Sequence, residues 1–251
     1  MKLACNYYPE TEALARGGKI DIDYFKFPAL GYQLDIPQDA HAFEAFAAQV
    51  VALRPILLHG LYPDMDRLIR ASKTPGISFH PSAGHKRLRL DTVIGIIRFL
   101  KESYAHLDFI SVENSGEAIE ADPLALSEIV RKSGCSFLLD VSHAYCAARR
   151  LGEDLWAYLE KLPLDRVSEI HVNGWVEKGD DIMCHVKMHE QSYQILKELL
   201  AVCRPEIVTI EYGRHDDRIG CGCPVMRPGE MNARAMEEIV EQVGRIREII
   251  A

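Results

Sequence analysis

The chain has 251 residues, of which 48% are apolar and 26% charged, proportions that build a globular core and exclude a disordered chain. Its formal net charge of −8 argues against a broad basic surface, so DNA is a disfavoured partner unless a local cationic groove receives it. Seven cysteines, an odd number scattered along the chain, predict reduced thiols rather than a disulfide framework.

The first candidate strands are Leu3 to Tyr8 and Asp23 to Phe27. The apolar stretch at the N-terminus is too short for a signal peptide, and no later run approaches a membrane span, so a cytoplasmic protein with no membrane partner is expected. Residues 42–51 carry apolar side chains at spacings of three and four, the mark of an amphipathic helix. Two short apolar runs follow, Ile56-Leu57-Leu58-His59 and Ile77-Ser78-Phe79-His80, each ending on a histidine. A helical pattern over 93–104, preceded by Asp91, leads to Ile110-Ser111-Val112-Glu113, which ends on a carboxylate.

Asp122-Pro123 opens the next helix, over 124–132, and Gly134 closes it. Phe137-Leu138-Leu139-Asp140 repeats the strand pattern, as does Val167-Ser168-Glu169-Ile170-His171 beyond a helix at 155–162. Between 180 and 190, His185 and His189 stand four residues apart, a spacing that aligns two side chains on one helical face; the other reading is a solvated charged loop. His185 is the preferred ligand of the two, and His189, next to a helix start near Gln191, a possible extra one. A helix over 193–203, the run Ile207-Val208-Thr209-Ile210-Glu211 and a helix over 236–250 complete the chain. Cys221-Gly222-Cys223-Pro224 reads as a glycine-rich loop with two incidental thiols, a redox or metal role being the alternative.

No low-complexity tract interrupts the alternation of strand and helix, which predicts an α/β fold: one domain over 1–251, a single (β/α)8 TIM barrel. An open doubly wound sheet is the alternative, but it should carry a glycine-rich phosphate loop after an early strand, and neither G-x-G-x-x-G nor G-x-x-x-x-G-K is present. In a barrel the strand C-termini share one mouth, so His59, His80, Glu113, Asp140, His171 and Glu211 converge there. Singly, each histidine has a blander reading as a satisfied buried ring, and Asp140, three residues before His143, suits a helix N-cap. Glu113 and Glu211 have fewer structural explanations, because burying a lone carboxylate is costly.

The ordered segments Phe79-His80-Pro81-Ser82, Val112-Glu113-Asn114-Ser115, Leu139-Asp140-Val141-Ser142-His143, Ile170-His171-Val172-Asn173 and Ile210-Glu211 resemble the metal-site motifs of endonuclease IV and its relatives. These belong to the xylose isomerase-like barrel superfamily, which also holds sugar isomerases, epimerases and multinuclear iron oxidases. The resemblance, spanning His59 to Glu211, implies that His59, His80, Glu113, Asp140, His143, His171, His185 and Glu211 surround two or three divalent ions of zinc, manganese or iron. Glu113 is the implied bridge, and Glu113 and Glu211 the catalytic carboxylates. Met183 stands where those endonucleases carry an aspartate, and the first strand lacks their small-residue loop near DNA.

A single-metal isomerase or epimerase acting on a sugar or sugar phosphate needs only Glu113, Asp140, His171 and Glu211, leaving four histidines over. The first expectation is therefore a metal-dependent hydrolase that attacks a phosphoester with metal-bound hydroxide, on a small polar or phosphorylated substrate. A multinuclear iron oxidase acting on a peptide or thiol, and a metal-binding barrel without activity, are the other options. Arg149, Arg150 and Arg214 follow ligand-bearing strands and are placed to neutralise a phosphate, although Arg149 and Arg150 would equally pair with Glu153 or Asp154. Asn173 is expected against the substrate.

Overall fold

The structure is a computed structural model that describes residues 1–28, 40–81, 89–116, 118–179, 181–214 and 226–251. The Cys221 and Cys223 segment and Asp180 lie outside the described residues. In chain order the strands are β1 (Lys2–Asn6), β2 (Tyr24–Phe27), β3 (Ile56–His59), β4 (Gly76–Phe79), β5 (Phe109–Glu113), β6 (Ser136–Asp140), β7 (Val167–Val172), β8 (Gly174–Lys178), β9 (Asp181–Val186) and β10 (Ile207–Ile210).

All but β8 and β9 close into a parallel barrel in the order β1-β10-β7-β6-β5-β4-β3-β2. The strands need cover on both faces: β3 through β6 and β10 are largely apolar runs buried along most of their length, and β7, though it carries Ser168, Glu169 and His171, is buried throughout. The outer ring supplies it through α1 (Pro9–Arg16), α2 (Ala40–Val51), α3 (Met65–Ser72), α4 (Leu90–Ser103), α5 (Pro123–Ser133), α6 (Val141–Leu151), α7 (Leu155–Leu159), α8 (Glu190–Val202) and α9 (Ala233–Ile250). The Asp122 carboxylate accepts from Leu124 N and Ala125 N at the start of α5, and Gly134 ends that helix at φ 69°, a left-handed turn that glycine adopts without strain.

The segment before α8 departs from the expected helical face. Residues 181–186 form the second strand of an antiparallel hairpin with β8, and His189 is the N-cap of α8. His185 and His189 therefore do not share a helix. Among the described residues, no helix is long and apolar enough to cross a membrane.

Candidate metal centre

Glu113, the last residue of β5, is 1% exposed, and both of its carboxylate oxygens are buried without a hydrogen-bond partner. Each oxygen faces its own set of imidazoles. Oε2 lies 3.3 Å from His59 Nε2 and 3.5 Å from His80 Nε2. Oε1 lies 3.5 Å from His143 Nδ1 and 3.4 Å from His171 Nδ1. Glu211, just past β10, brings Oε2 to 3.2 Å from His171 Nδ1 and 3.4 Å from His185 Nδ1. Two groups with metal-ligand geometry result, His59, His80 and Glu113 on one side and Glu113, Asp140, His171 and Glu211 on the other, with Glu113 common to both. Orphaned buried oxygens beside imidazole nitrogens at these separations fit one or two divalent cations.

Asp140 has two functions at once. Its Oδ1 caps α6, accepting from His143 N at 2.7 Å and Ser142 Oγ at 2.8 Å, while Oδ2 lies 3.9 Å from His171 Nδ1 and accepts from Asn173 Nδ2 at 3.1 Å. Asn114 locks the exits of β5 and β6 together, donating to Asp140 O and accepting from Asp140 N, both at 2.8 Å. His185 holds φ at 66°, a region a non-glycine residue adopts only under constraint. The constraint is visible: His185 N donates to Asn173 Oδ1 at 3.1 Å, and Gly213 N and Arg214 N both donate to His185 O at 2.9 Å.

Beneath the mouth the barrel contains a buried ion pair that sequence reasoning did not find. Lys26 Nζ donates to Glu169 Oε1 and to Ser78 Oγ, each at 2.7 Å. Glu169 Oε1 also accepts from Thr209 Oγ1 at 2.6 Å and lies 3.1 Å from His171 Nε2, while Ser78 Oγ lies 3.1 Å from His59 Nδ1. With Nε2 of His171 held by Glu169 and Nδ1 of His59 held by Ser78, each ring turns its other nitrogen toward Glu113.

The electrostatics favour cations. Burial alone would raise the Glu113 carboxyl, but His80, His171, His59 and His143 around it hold it well below the usual carboxylate range. Glu211 is likewise held low against burial, by His171 and His185. Burial pushes His59 down to about 3 and also lowers His185, so both rings are neutral and ready to ligate. Burial opposes charge on His143, yet Asp140 and Glu113 lift it well above the usual imidazole value. Burial and Lys26 oppose it on His171, which Glu211 and Glu113 nevertheless raise. Protons on these two rings stand where a divalent ion would otherwise balance the carboxylates.

The expected ligands thus meet at one mouth, with His143 and His185 beside each other, ring centroids 5.3 Å apart, next to the two groups. His189 does not join them: its Nδ1 accepts from Ser192 N at 3.2 Å and its ring packs edge to face with Trp175, centroids 4.4 Å apart. Asn173, expected against a substrate, is fully buried, and its amide is engaged by Asp140 and His185, which makes it a positioning residue. Arg149 pairs with Glu177 at 3.6 Å, rather than with Glu153 or Asp154, and Arg150 donates to Gly116 O at 2.6 Å. Arg214 adjoins the centre through its backbone bond to His185.

Residues 110–219 match the model of a family described as RiPP precursor modification enzyme MbnB/TglH/ChrH, a window that contains Glu113, Asp140, His143, His171, His185 and Glu211. A UPF0276 protein of Chromobacterium violaceum is 27% identical over 204 residues, covering 67% of this chain and 73% of its own. UPF0276 proteins of Paraburkholderia phytofirmans and an Anaeromyxobacter species match shorter stretches. The first is 32% identical over 113 residues, 42% of this chain and 36% of its own length. The second is 44% identical over 54 residues, 22% of this chain and 19% of its own length. These two matches span well under two thirds of those relatives. Among solved structures, the IOLI protein with a bound zinc atom superposes with a TM-score of 0.62 at 12% identity, over 100% of this chain and 98% of that one. Endonuclease IV of Thermus thermophilus gives 0.54 at 17% identity, over 86% of this chain and 94% of that one. The fold is thus a TIM barrel similar to those of the IOLI protein and endonuclease IV, with clustered metal-ligand side chains at the C-terminal mouth.

Proposed function

We propose that this chain is a multinuclear metal enzyme that oxidatively modifies a peptide, with iron as its metal. The observation that carries this reading is the coincidence of two findings: the peptide-modification family model covers the stretch that holds Glu113, Asp140, His143, His171, His185 and Glu211, and Glu113 presents each of its oxygens to a different histidine set. A mixed imidazole and carboxylate donor set suits iron, and bound iron would supply the electron transfer to dioxygen that no protein side chain provides. The likeness to endonuclease IV concerns the fold, so phosphoester hydrolysis has less support than peptide oxidation.

The residues divide the work. Glu113 would bridge two ions; His59 and His80 would complete one side, and Asp140, His171 and Glu211 the other. Glu169 and Ser78 fix the ring orientations of His171 and His59, and Asn173 and Asn114 fix Asp140 and the His185 backbone. His80 is the most open of the histidines that face Glu113, 34% exposed against 11% for His59, 17% for His143 and 0% for His171, so a substrate approaches from its side of the mouth. The test is oxygen uptake by anaerobically iron-loaded protein on addition of ribosomal precursor peptides, with peptide mass read in parallel. Peptide-dependent uptake with a peptide mass change is expected. Hydrolysis of a phosphodiester without any peptide-dependent uptake would replace this reading with the hydrolase.

A further inference from the structure

Two thiols lie beside the metal centre and belong to neither ligand group. Cys146 sits on α6, three residues after His143, and Cys184 on β9, immediately before His185. Their Sγ atoms are 3.0 Å apart, and α6 and β9 pack against each other. Cys146 is buried and Cys184 half-buried, whereas Cys5, Cys135 and Cys203 are buried elsewhere in the barrel and its helical ring.

We infer that Cys146 and Cys184 form a thiol–disulfide site whose oxidation tethers the His143 helix to the His185 strand. A disulfide bond is about 2.05 Å long, so closure requires the two sulfurs to approach by about 1 Å, a movement within the reach of side-chain rotation. The oxidant is a low-molecular-weight disulfide, RSSR. Cys184, the more accessible thiol, loses its proton and attacks one sulfur of RSSR, forming a mixed disulfide and releasing RS⁻, which takes up that proton. Cys146, deprotonated in turn, attacks Cys184 Sγ; the bond to the reagent's sulfur breaks, and the second RSH leaves with the Cys146 proton. Two cysteines are oxidised and the reagent is reduced by the same two electrons. The bridge joins the two segments that present His143 and His185, whose rings meet edge to face, so it restrains their separation whether or not metal is bound.

The inference rests on the two sulfurs and does not depend on the peptide-oxidising reading. Metal-loaded protein is treated with oxidised glutathione, its remaining thiols are alkylated under denaturing conditions, and the digest is mapped by mass spectrometry. A linked peptide pair joining Cys146 to Cys184 is expected, with Cys5, Cys135 and Cys203 alkylated; in Cys146→Ser, Cys184 should instead retain glutathione. Full alkylation of both cysteines, or their linkage to other cysteines, overturns the site. Metal loss to a chelator reads the tether separately. Several-fold slower loss from oxidised than from reduced wild type, absent in Cys146→Ser, is expected, and equal rates from the two wild-type forms overturn it.

Discussion

Lys26→Met tests the buried ion pair under the mouth. Lys26 and Glu169 are each 1% exposed and their charged atoms are 2.7 Å apart. Burial alone would raise the Glu169 carboxyl, but Lys26 and His171 hold it down to about 2. Removing the lysine leaves a buried carboxylate with Thr209 and His171 as its remaining partners, and breaking one side of a buried pair costs about 3–5 kcal/mol. Methionine replaces most of the aliphatic volume, so little of that cost comes from a cavity. Lys26→Met combined with Glu169→Gln leaves no unpaired charge, and the introduced amide retains a carbonyl oxygen for Thr209 and His171. The double variant is therefore expected to be more stable than Lys26→Met alone, with a coupling of about 2 kcal/mol or more. Urea denaturation of the metal-free proteins, followed by circular dichroism, measures both single variants and the double. A loss below about 1 kcal/mol for Lys26→Met, or strictly additive single effects, would refute the pair's role.

Asn173→Asp replaces a donor to Asp140 Oδ2, now 3.1 Å away, with a second carboxylate; metal affinity should fall about 10- to 100-fold in chelator competition, and unchanged affinity would remove Asn173 from the support of the centre. At Gly174 an added Cβ would run into the Lys187 carbonyl, a backbone atom that cannot turn aside, so Gly174→Ala should shift the hairpin and lower both melting temperature and metal content, whereas wild-type values for both would contradict the packing. Burial pushes the Cys5 thiol from 9.0 up to about 12. The unfolded chain then loses this proton first as pH rises above 9.0, so the stabilising contribution is intact below that value and about 4 kcal/mol of it is lost by pH 12. Cys5→Ala should flatten the alkaline limb of the stability profile, and an identical limb in both proteins would rule the linkage out.

The barrel was legible because a strand buried on both faces is mostly apolar, which makes polar exits such as His59, Glu113 and Asp140 conspicuous. The two opposed readings of Asp140 were compatible, since one oxygen caps α6 and the other faces His171. The hairpin was hidden for a physical reason: among the described residues β8 and β9 pair with each other and not with the barrel, and their Glu177, Lys178 and Asp181 give the pattern of a charged loop. Lys26 and Glu169 each place a charge inside a strand, within Tyr24-Phe25-Lys26-Phe27 and Val167-Ser168-Glu169-Ile170-His171, but they lie 143 positions apart and no local pattern pairs them. Asn114 and Asn173 act through bonds to Asp140 across 26 and 33 positions, so their part emerges only once the strands are placed side by side.

An anomalous-scattering map of the iron-loaded protein, collected with elemental analysis of the same sample, tests the metal centre most directly. Two peaks are expected about Glu113, one toward His59 and His80 and the other toward Asp140, His171 and Glu211, with metal bound and both lost in Glu113→Gln. A metal-replete protein showing no peak between these side chains, or binding its metal elsewhere, would contradict the account.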